Sequence, residues 1–150
     1  LVAGTYGRGI YKMNILPIRE AFRNASPEAN ILFAPPTATR PRINDTHRNF
    51  LLRTAEKVPL TFYLTRAAEV FLRVENAKGE AVWVRTLQGR KGFNQFRWDL
   101  VTKTEDSPDA YFFQYRQFAP AGKYTLRLVG DGIALEAPLT IEERIAMGGR

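Results

Sequence analysis

The sequence predicts an all-β protein: an antiparallel β-sandwich of about seven strands with an extended N-terminal arm. From residue 58 onward, apolar and polar residues alternate steadily, as they do in strands with one buried face. Turn signals recur about every 8–12 residues, which is the spacing of short antiparallel strands. No helical pattern of about 14 residues separates these segments, which argues against a parallel α/β sheet.

Seven segments carry the strand pattern, and turn or loop residues separate them. Gly-containing turns fall at 77–80, 89–92, 120–122 and 130–132, and a polar loop occupies 102–109. In chain order the strand segments are VPLTFYLT, EVFLRVEN, AVWVRTL, FNQFRWDL, YFFQYRQF, KYTLRLV and IALEAPLTI.

Alternation within the strands also predicts which side chains face the core. Trp98 falls in phase with apolar neighbours, so we predict that it is a core residue. Val82 and Val84 are predicted to face inward together, which directs Trp83 to the opposite, partly exposed face. Phe71 is predicted to point outward as well, from the preceding strand.

Residues 1–57 have a different pattern, so we place a domain boundary between them and a sandwich of residues 58–150. Residues 2–15 are typical of a strand, a Gly turn and a second strand. Pro17 suits the first position of a short helix with the sequence PIREAFRN.

Residues 24–57 contain many Pro, Ala, Asn and Thr residues with little periodicity. Such a composition is typical of an extended linker that lies over a surface. Ile31, Leu32 and Phe33 are the apolar residues expected to anchor it.

Charge and composition exclude several classes of protein. The net charge is +7, but residues 1–57 contribute +5 of it and residues 58–150 only +2. A nucleic-acid module more often carries its charge on a folded face among aromatic residues, so this charge distribution argues against nucleic acid as a partner. The absence of cysteine excludes disulfides and thiolate metal sites. The longest apolar runs are too short to span a membrane.

The candidate metal ligands do not form a recognised pattern. His47 is the only histidine, so a transition-metal site would need carboxylates that converge on one imidazole. Glu105, Asp106 and Asp109 could offer loop oxygens to Ca²⁺, but they lack the spacing and the Gly of an EF-hand. We therefore predict no metal and no cofactor.

The candidate catalytic groups have better structural interpretations. Asp99 and Asp131 could be imagined as an acid/base pair. Asp131, however, stands in an Asp-Gly turn, and Asp99 ends a strand where its carboxylate can accept backbone N–H bonds. Gly4, Gly7 and Gly9 do not follow the order of a dinucleotide fingerprint. We predict no catalytic residue in this chain.

Aromatic residues are the remaining candidates for binding. An exposed strip made from Trp83, Phe71, Tyr111, Phe112 and Tyr115 could stack on sugar rings or dock on another domain. Coplanar exposed rings on one sheet would favour carbohydrate binding. An apolar patch covered by the N-terminal arm or by a neighbouring domain would favour docking.

Three sequence blocks in the C-terminal part resemble the immunoglobulin-like domain of the flagellar hook-capping type, which recurs at the C-terminus of secreted bacterial proteins. They are KGEAV at 78–82, GFNQFRWD at 92–99 and PAGKYTLRL at 120–128. The resemblance covers about 90 residues and implies an Ig-like β-sandwich.

The N-terminal stretch is similar to the last strand of a β-propeller in sialidase-like proteins with bacterial neuraminidase (Asp-box) repeats. Leu1 to Phe22 contains the matching LVAGTYGRGIY and the following LPIR. The family more often has His at the position of Tyr6, and the Asp-box signature itself is absent here. The resemblance implies that any active site lies upstream of Leu1.

These resemblances imply a non-catalytic C-terminal accessory domain of a secreted, periplasmic or cell-surface glycosyl hydrolase, which braces or spaces its propeller. Two alternatives stay open: a carbohydrate-binding module, and a nucleic-acid or surface-adhesion module that uses the basic arm. Because residues 1–15 would leave an unpaired strand edge, we also expect them to fold back on the sandwich or to pair with a second copy.

Overall fold

A computed structural model of the chain describes residues 2–5, 9–12, 28–40, 57–102 and 118–143, together with the single residues 15, 19 and 23. The described part contains ten strands. They are β1 (Val2–Thr5), β2 (Gly9–Lys12), β3 (Ile31–Leu32), β4 (Ala38–Arg40), β5 (Val58–Leu64), β6 (Ala68–Glu75), β7 (Ala81–Gly89), β8 (Gly92–Trp98), β9 (Gly122–Gly130) and β10 (Ile133–Glu143).

Two sheets make up the sandwich. One has five strands in the order β4-β10-β9-β6-β7, and the other has three in the order β3-β5-β8. The described pairings are antiparallel except that of β4 with β10. The predicted all-β sandwich is therefore confirmed. Six of the seven predicted strand segments form strands, and the seventh, YFFQYRQF, lies outside the described residues apart from Phe118.

The predicted arm contributes one strand to each sheet. β3 pairs with β5, and the Phe33 N–H extends this pairing by donating to the Thr61 carbonyl at 3.1 Å. β4 lies parallel to the far end of β10, where Ala38 is buried opposite Ile141. The structure therefore places residues 31–32 and 38–40 within the sheets, whereas the sequence predicted a linker over the surface. The boundary at residue 57 stays a prediction.

Two N-terminal strands form a sheet of their own. β1 and β2 pair antiparallel, with Val2 opposite Lys12 and Thr5 opposite Gly9, which confirms the two predicted strands. The Gly turn predicted between them lies outside the described residues. Of the helix predicted after it, the described part includes one bond, from the Arg19 N–H to the Ile15 carbonyl at 2.9 Å. The remainder lies outside the described residues.

Apolar side chains from both sheets fill the space between them. Trp98 is fully buried, as predicted, and its ring centroid lies 5.6 Å from that of Trp83. Burying a large apolar side chain contributes on the order of 2 kcal/mol, so this layer dominates the stability of the sandwich. The largest fully buried side chains are Trp98, Phe62, Leu60, Leu64, Leu72, Leu100, Leu126, Leu128, Leu139 and Ile141.

The predicted orientation of β7 is wrong at its start. Trp83 is only 4% exposed and belongs to the core, whereas Val84 is 41% exposed. Trp83 stands opposite Val74, and the next pair along joins Glu75 to Ala81, so Val82 is an extra residue in the ladder. Such a bulge shifts the alternation by one residue, and the phase of AVWVRTL alone cannot reveal it.

The turn between β9 and β10 follows its sequence chemistry. Asp131 and Gly132 have φ values of 49° and 78°, as a two-residue turn of the type I′ class requires. The Asp131 carboxylate also forms an ion pair with the Arg66 guanidinium, with an N–O distance of 2.9 Å. The predicted hairpin at 130–132 is confirmed, and Asp131 has a structural partner.

The block GFNQFRWD marks where the chain crosses from one sheet to the other. The Asn94 side chain accepts a bond from the Arg90 N–H at 2.9 Å and donates to the Arg90 carbonyl at 2.7 Å. It also donates to the Gly92 carbonyl at 3.0 Å. Asn94 therefore fixes the short connection between β7 and β8.

The end of the same block shapes the loop after β8. The Trp98 indole N–H donates to the Val101 carbonyl at 3.1 Å, and the Val101 N–H donates to the Asp99 carboxylate at 3.2 Å. The interpretation of Asp99 as a carboxylate that accepts backbone N–H bonds is confirmed. Between them, Leu100 has a φ of 64°, a value that bulky residues adopt only under strain.

The block PAGKYTLRL forms a tyrosine corner, which is a hallmark of Ig-like sandwiches. Tyr124 lies near the start of β9, and its hydroxyl donates to the Pro120 carbonyl at 2.8 Å. The bond joins the strand to the turn that precedes it. Together with the sheet orders, it supports the Ig-like character of the fold.

Replacing Tyr124 with Phe removes this partly buried bond and leaves the Pro120 carbonyl without the Tyr124 hydroxyl as its donor. We expect the free energy of unfolding at pH 7 to fall by about 1–2 kcal/mol. Urea denaturation followed by tryptophan fluorescence measures this difference. An unchanged midpoint would show that the corner bond contributes nothing to stability.

The stability difference between wild type and the same variant should also depend on pH in the alkaline range. Burial raises the pKa of the Tyr124 phenol above its ordinary value of about 10, and the charge of Arg40 opposes the increase. The stabilisation is therefore complete below pH 10 and is lost as the pH rises from 10 towards the folded-state pKa, because the unfolded chain releases its proton first. The stability difference between wild type and Tyr124→Phe should shrink above pH 10. A constant difference from pH 7 to 11 would contradict this assignment.

Candidate functional site

Two of the five residues of the predicted aromatic strip lie in the described part, and one of them, Trp83, is not exposed as expected. Trp83 is buried between the sheets and cannot stack on a ligand. Phe71 points outward and is 40% exposed, as predicted. Tyr111, Phe112 and Tyr115 lie outside the described residues, as do His47 and the acidic loop at 105–109. Of the predicted strip, Phe71 is therefore the exposed member in the described part.

Phe71 belongs to an apolar patch on the outer face of the five-stranded sheet. The patch consists of Phe71, Val84 and Val129, which are 40%, 41% and 42% exposed. Phe71 on β6 and Val129 on β9 are direct partners in the strand register. Val84, on β7, lies opposite Arg73 of β6. These four residues line a shallow depression of about 290 Å³. The alternation of the sequence predicted that Phe71 is exposed. It did not predict the exposure of Val84, because the bulge in β7 changes the alternation there.

A network of charges borders the patch on one side. The Glu75 carboxylate receives Arg73 Nε at 2.9 Å and Arg127 Nε at 2.8 Å. Arg127 also contacts Glu136 at 3.1 Å. The hydrogen bond and charge of Glu75 raise the pKa of the Arg127 guanidinium above its ordinary range. Glu75 is 8% exposed, so it is the buried centre of this network.

Glu75 neutralises two arginines that the register places opposite each other. Arg73 on β6 pairs directly with Arg127 on β9, and like charges in such a position repel. We expect Glu75→Gln to lower the free energy of unfolding by about 1–2 kcal/mol, because the shape is kept while the negative charge is lost. Because salt screens the remaining repulsion, the loss should be smaller at about 1 M NaCl.

Glu136→Gln is the matched control, since Glu136 contacts only Arg127 within the described residues and its side chain is 64% exposed. Exposed ion pairs contribute little, so we expect a change of about 0.5 kcal/mol or less. Equal losses in the two variants, measured in the same urea titrations, would contradict a central role for Glu75.

The outer face of the three-stranded sheet carries an aromatic cluster that the sequence analysis did not single out. Phe93 on β8 lies 5.2 Å from Tyr63 in an edge contact and 6.0 Å from Phe33 in a stacked one, between ring centroids. Phe33 is buried, and Phe93 is 43% exposed. The alternation of FNQFRWDL already directs Phe93 outward, since it places Phe96 and Trp98 inward.

The same sheet is basic. Residues 57–66 and 89–98, which contain β5 and β8, have five Lys or Arg residues and no Asp or Glu. Arg66 is paired with Asp131. In the part of the chain that the structure describes, no ion pair involves the other four, which are all exposed: Lys57, Arg90, Lys91 and Arg97.

Three rows of side chains cross this outer face. The strand register pairs Tyr63 with Phe93, Thr61 with Gln95 and Pro59 with Arg97. The Gln95 amide donates to the Thr61 hydroxyl at 3.3 Å. We call the surface formed by these rows and the four exposed cations the basic face.

Within residues 28–40, 57–102 and 118–143, no three acidic or imidazole side chains lie close enough to hold a metal ion. No helix in the described part has the length and hydropathy needed to cross a membrane.

No protein-family model matches this chain, and no curated protein is significantly similar to it in sequence.

Proposed function

We propose that this chain is a non-catalytic accessory region of a larger, secreted, sialidase-like protein, in which the sandwich braces or spaces a β-propeller. The proposal rests on the resemblance of residues 1–22 to a terminal propeller strand and on the apolar patch. The patch is the observation that carries most of the argument.

The patch has the properties of a docking surface within a larger protein. Phe71, Val84 and Val129 are contiguous on a rigid sheet, and each exposes about two fifths of its surface. The buried charge network around Glu75 borders them, as polar residues border many interdomain contacts. A neighbouring domain of the same protein would remove these side chains from water.

The hairpin of β1 and β2 supports the same proposal. Within the described residues it pairs with no strand of the sandwich, and a two-stranded hairpin is at best marginally stable alone in water. A propeller blade would supply the further strands that such a hairpin needs. Residues 1–15 would then belong to the neighbouring domain, and the sandwich would follow it.

Reading the source genome upstream of the codon for Leu1 tests this proposal. We expect an in-frame coding sequence with propeller blades and Asp-box repeats, preceded by a secretory signal. A start codon or a signal peptide immediately before Leu1 would contradict the proposal. An upstream domain of another class would also contradict the sialidase-like parent.

A further inference from the structure

We propose that the basic face is a binding site for an acidic polysaccharide, whose carboxylate or sulfate groups lie against its cations. This inference is independent of the proposed bracing function, because it concerns the outer face of the three-stranded sheet and the apolar patch lies on the other sheet. It rests on three properties of the basic face: its charge, its exposed ring and its row of polar groups.

Strand residues with acidic side chains are confined to one of the two sheets. On strands of the five-stranded sheet, five Lys or Arg residues balance five glutamates, which are Glu69, Glu75, Glu136, Glu142 and Glu143. Strands β5 and β8 carry no acidic residue. Lys57, Arg90, Lys91 and Arg97 therefore project a positive potential from one side of the molecule. Asp99, which follows β8, directs its carboxylate to the Val101 N–H. A flexible anionic chain is the ligand that such a surface complements.

The cations stand at the two ends of the face. Arg90 and Lys91 precede β8, and Arg97 lies near its end, beside Lys57. Arg97 follows Lys91 by six positions, which corresponds to about 20 Å along an extended strand. A short stretch of polymer is needed to reach both ends, so an extended polyanion fits better than a small single anion.

The centre of the face suits a sugar ring. Phe33 and Tyr63 pack against the Phe93 ring, and 43% of the surface of Phe93 stays exposed beside these contacts. Aromatic rings present an apolar face on which the C–H groups of a pyranose can pack. Beside it, the Thr61 hydroxyl and the Gln95 amide can exchange hydrogen bonds with sugar hydroxyls.

Single-stranded nucleic acid is the other polyanion that basic and aromatic surfaces bind. Its sites stack successive bases on several exposed rings. On the described part of the basic face, Phe93 is the large apolar side chain with high exposure, since Tyr63 is half-buried and Phe33 buried. One exposed ring with neighbouring hydroxyl and amide groups therefore favours the polysaccharide.

Binding of the full 150-residue chain to polygalacturonate, chondroitin sulfate, dextran and oligo(dT) tests the proposal by affinity electrophoresis and calorimetry. We expect at least one acidic polysaccharide to bind, with an affinity that falls in high salt, and dextran not to bind. The two acidic probes distinguish carboxylate from sulfate recognition. Binding of neither, or tighter binding of oligo(dT) at the same ionic strength, would overturn the proposal.

Matched charge variants test whether binding depends on the basic face or only on the overall positive charge of the protein. Lys91→Glu with Arg97→Glu should weaken binding about tenfold or more. Lys78→Glu with Lys123→Glu changes the net charge equally on exposed positions elsewhere, and should change binding less than about twofold. Phe93→Ala should weaken binding about fivefold with an unchanged salt dependence. Equal losses in both charge variants would overturn the assignment to this face.

Discussion

Replacing Gly130 with Ala should lower the free energy of unfolding by about 3–5 kcal/mol. Gly130 has a φ of 136°, a region that side-chain-bearing residues adopt only at a high cost. A Cβ atom there would lie 2.6 Å from the Glu69 carbonyl oxygen and 3.2 Å from the Val70 Cα. Both obstacles are backbone atoms of β6, which is paired on both sides, so neither can move without disturbing the sheet.

Gly132→Ala is the control for this prediction. Gly132 also has positive φ, at 78°, but no atom lies within 4 Å of its Cβ position. The free energy of unfolding of Gly132→Ala should therefore fall by only about 1–2 kcal/mol, which is the cost of placing a residue with a side chain at positive φ. Urea denaturation of both variants, with circular dichroism to confirm the native fold, measures the difference. Equal losses would mean that the contact between Gly130 and β6 is absent.

Truncating Trp83 to Ala should cost about 3–5 kcal/mol, because the side chain fills the space between the sheets. Its ring centroid lies 5.4 Å from that of Phe96 and 5.6 Å from that of Trp98. The neighbouring Arg85 guanidinium lies 5.8 Å from the Phe96 ring and extends the same layer towards the solvent. Removal of the indole would leave a cavity that these rigid neighbours cannot fill.

Val84→Ala is the matched control on the same strand. Because Val84 is 41% exposed, its truncation should cost about 0.5 kcal/mol or less. The pair of variants tests the strand register directly, since simple alternation with Val84 inward predicts the opposite order of effects. A larger loss for Val84→Ala than for Trp83→Ala in urea titrations would contradict the bulge.

Much of the sandwich was predictable because strand alternation and turn chemistry are local properties. The Asp131-Gly132 turn and the outward direction of Phe71 follow from a few neighbouring residues. The burial of Trp83 was not predictable, since one extra residue in β7 reverses its direction. The inclusion of β3 and β4 in the sheets depends on long-range pairing, which a Pro-rich sequence does not indicate.

The candidate surfaces were harder to predict than the fold. Each of them joins residues from strands that are distant in the sequence, such as Phe71 with Val129 and Phe33 with Phe93. The basic face was missed for a similar reason. A charge count over residues 58–150 averages two sheets of different character, and only the register shows that β5 and β8, which carry no acidic residue, are neighbours in one sheet.

The motif residues that suggested a known family have structural roles in this chain. Asn94 fixes the crossing between the sheets, Tyr124 forms the corner bond, and Gly79 provides a turn residue with a φ of 80°. Residues of this kind determine the fold. They support the proposed accessory role through the architecture that they specify, whereas any binding activity depends on the apolar patch and the basic face.

The apolar patch can be tested most directly by thiol labelling, because the chain contains no cysteine. Phe71→Cys places a single thiol in the patch, and Phe93→Cys places one on the other sheet as a control. Labelling rates would be compared between the 150-residue chain and the longer protein of which we propose it is a part. We expect the Phe71→Cys thiol to react about tenfold or more slowly in the longer protein, with the Phe93→Cys thiol unchanged. Equal rates for Phe71→Cys in the two proteins would show that no neighbouring domain covers the patch, and would contradict the bracing role.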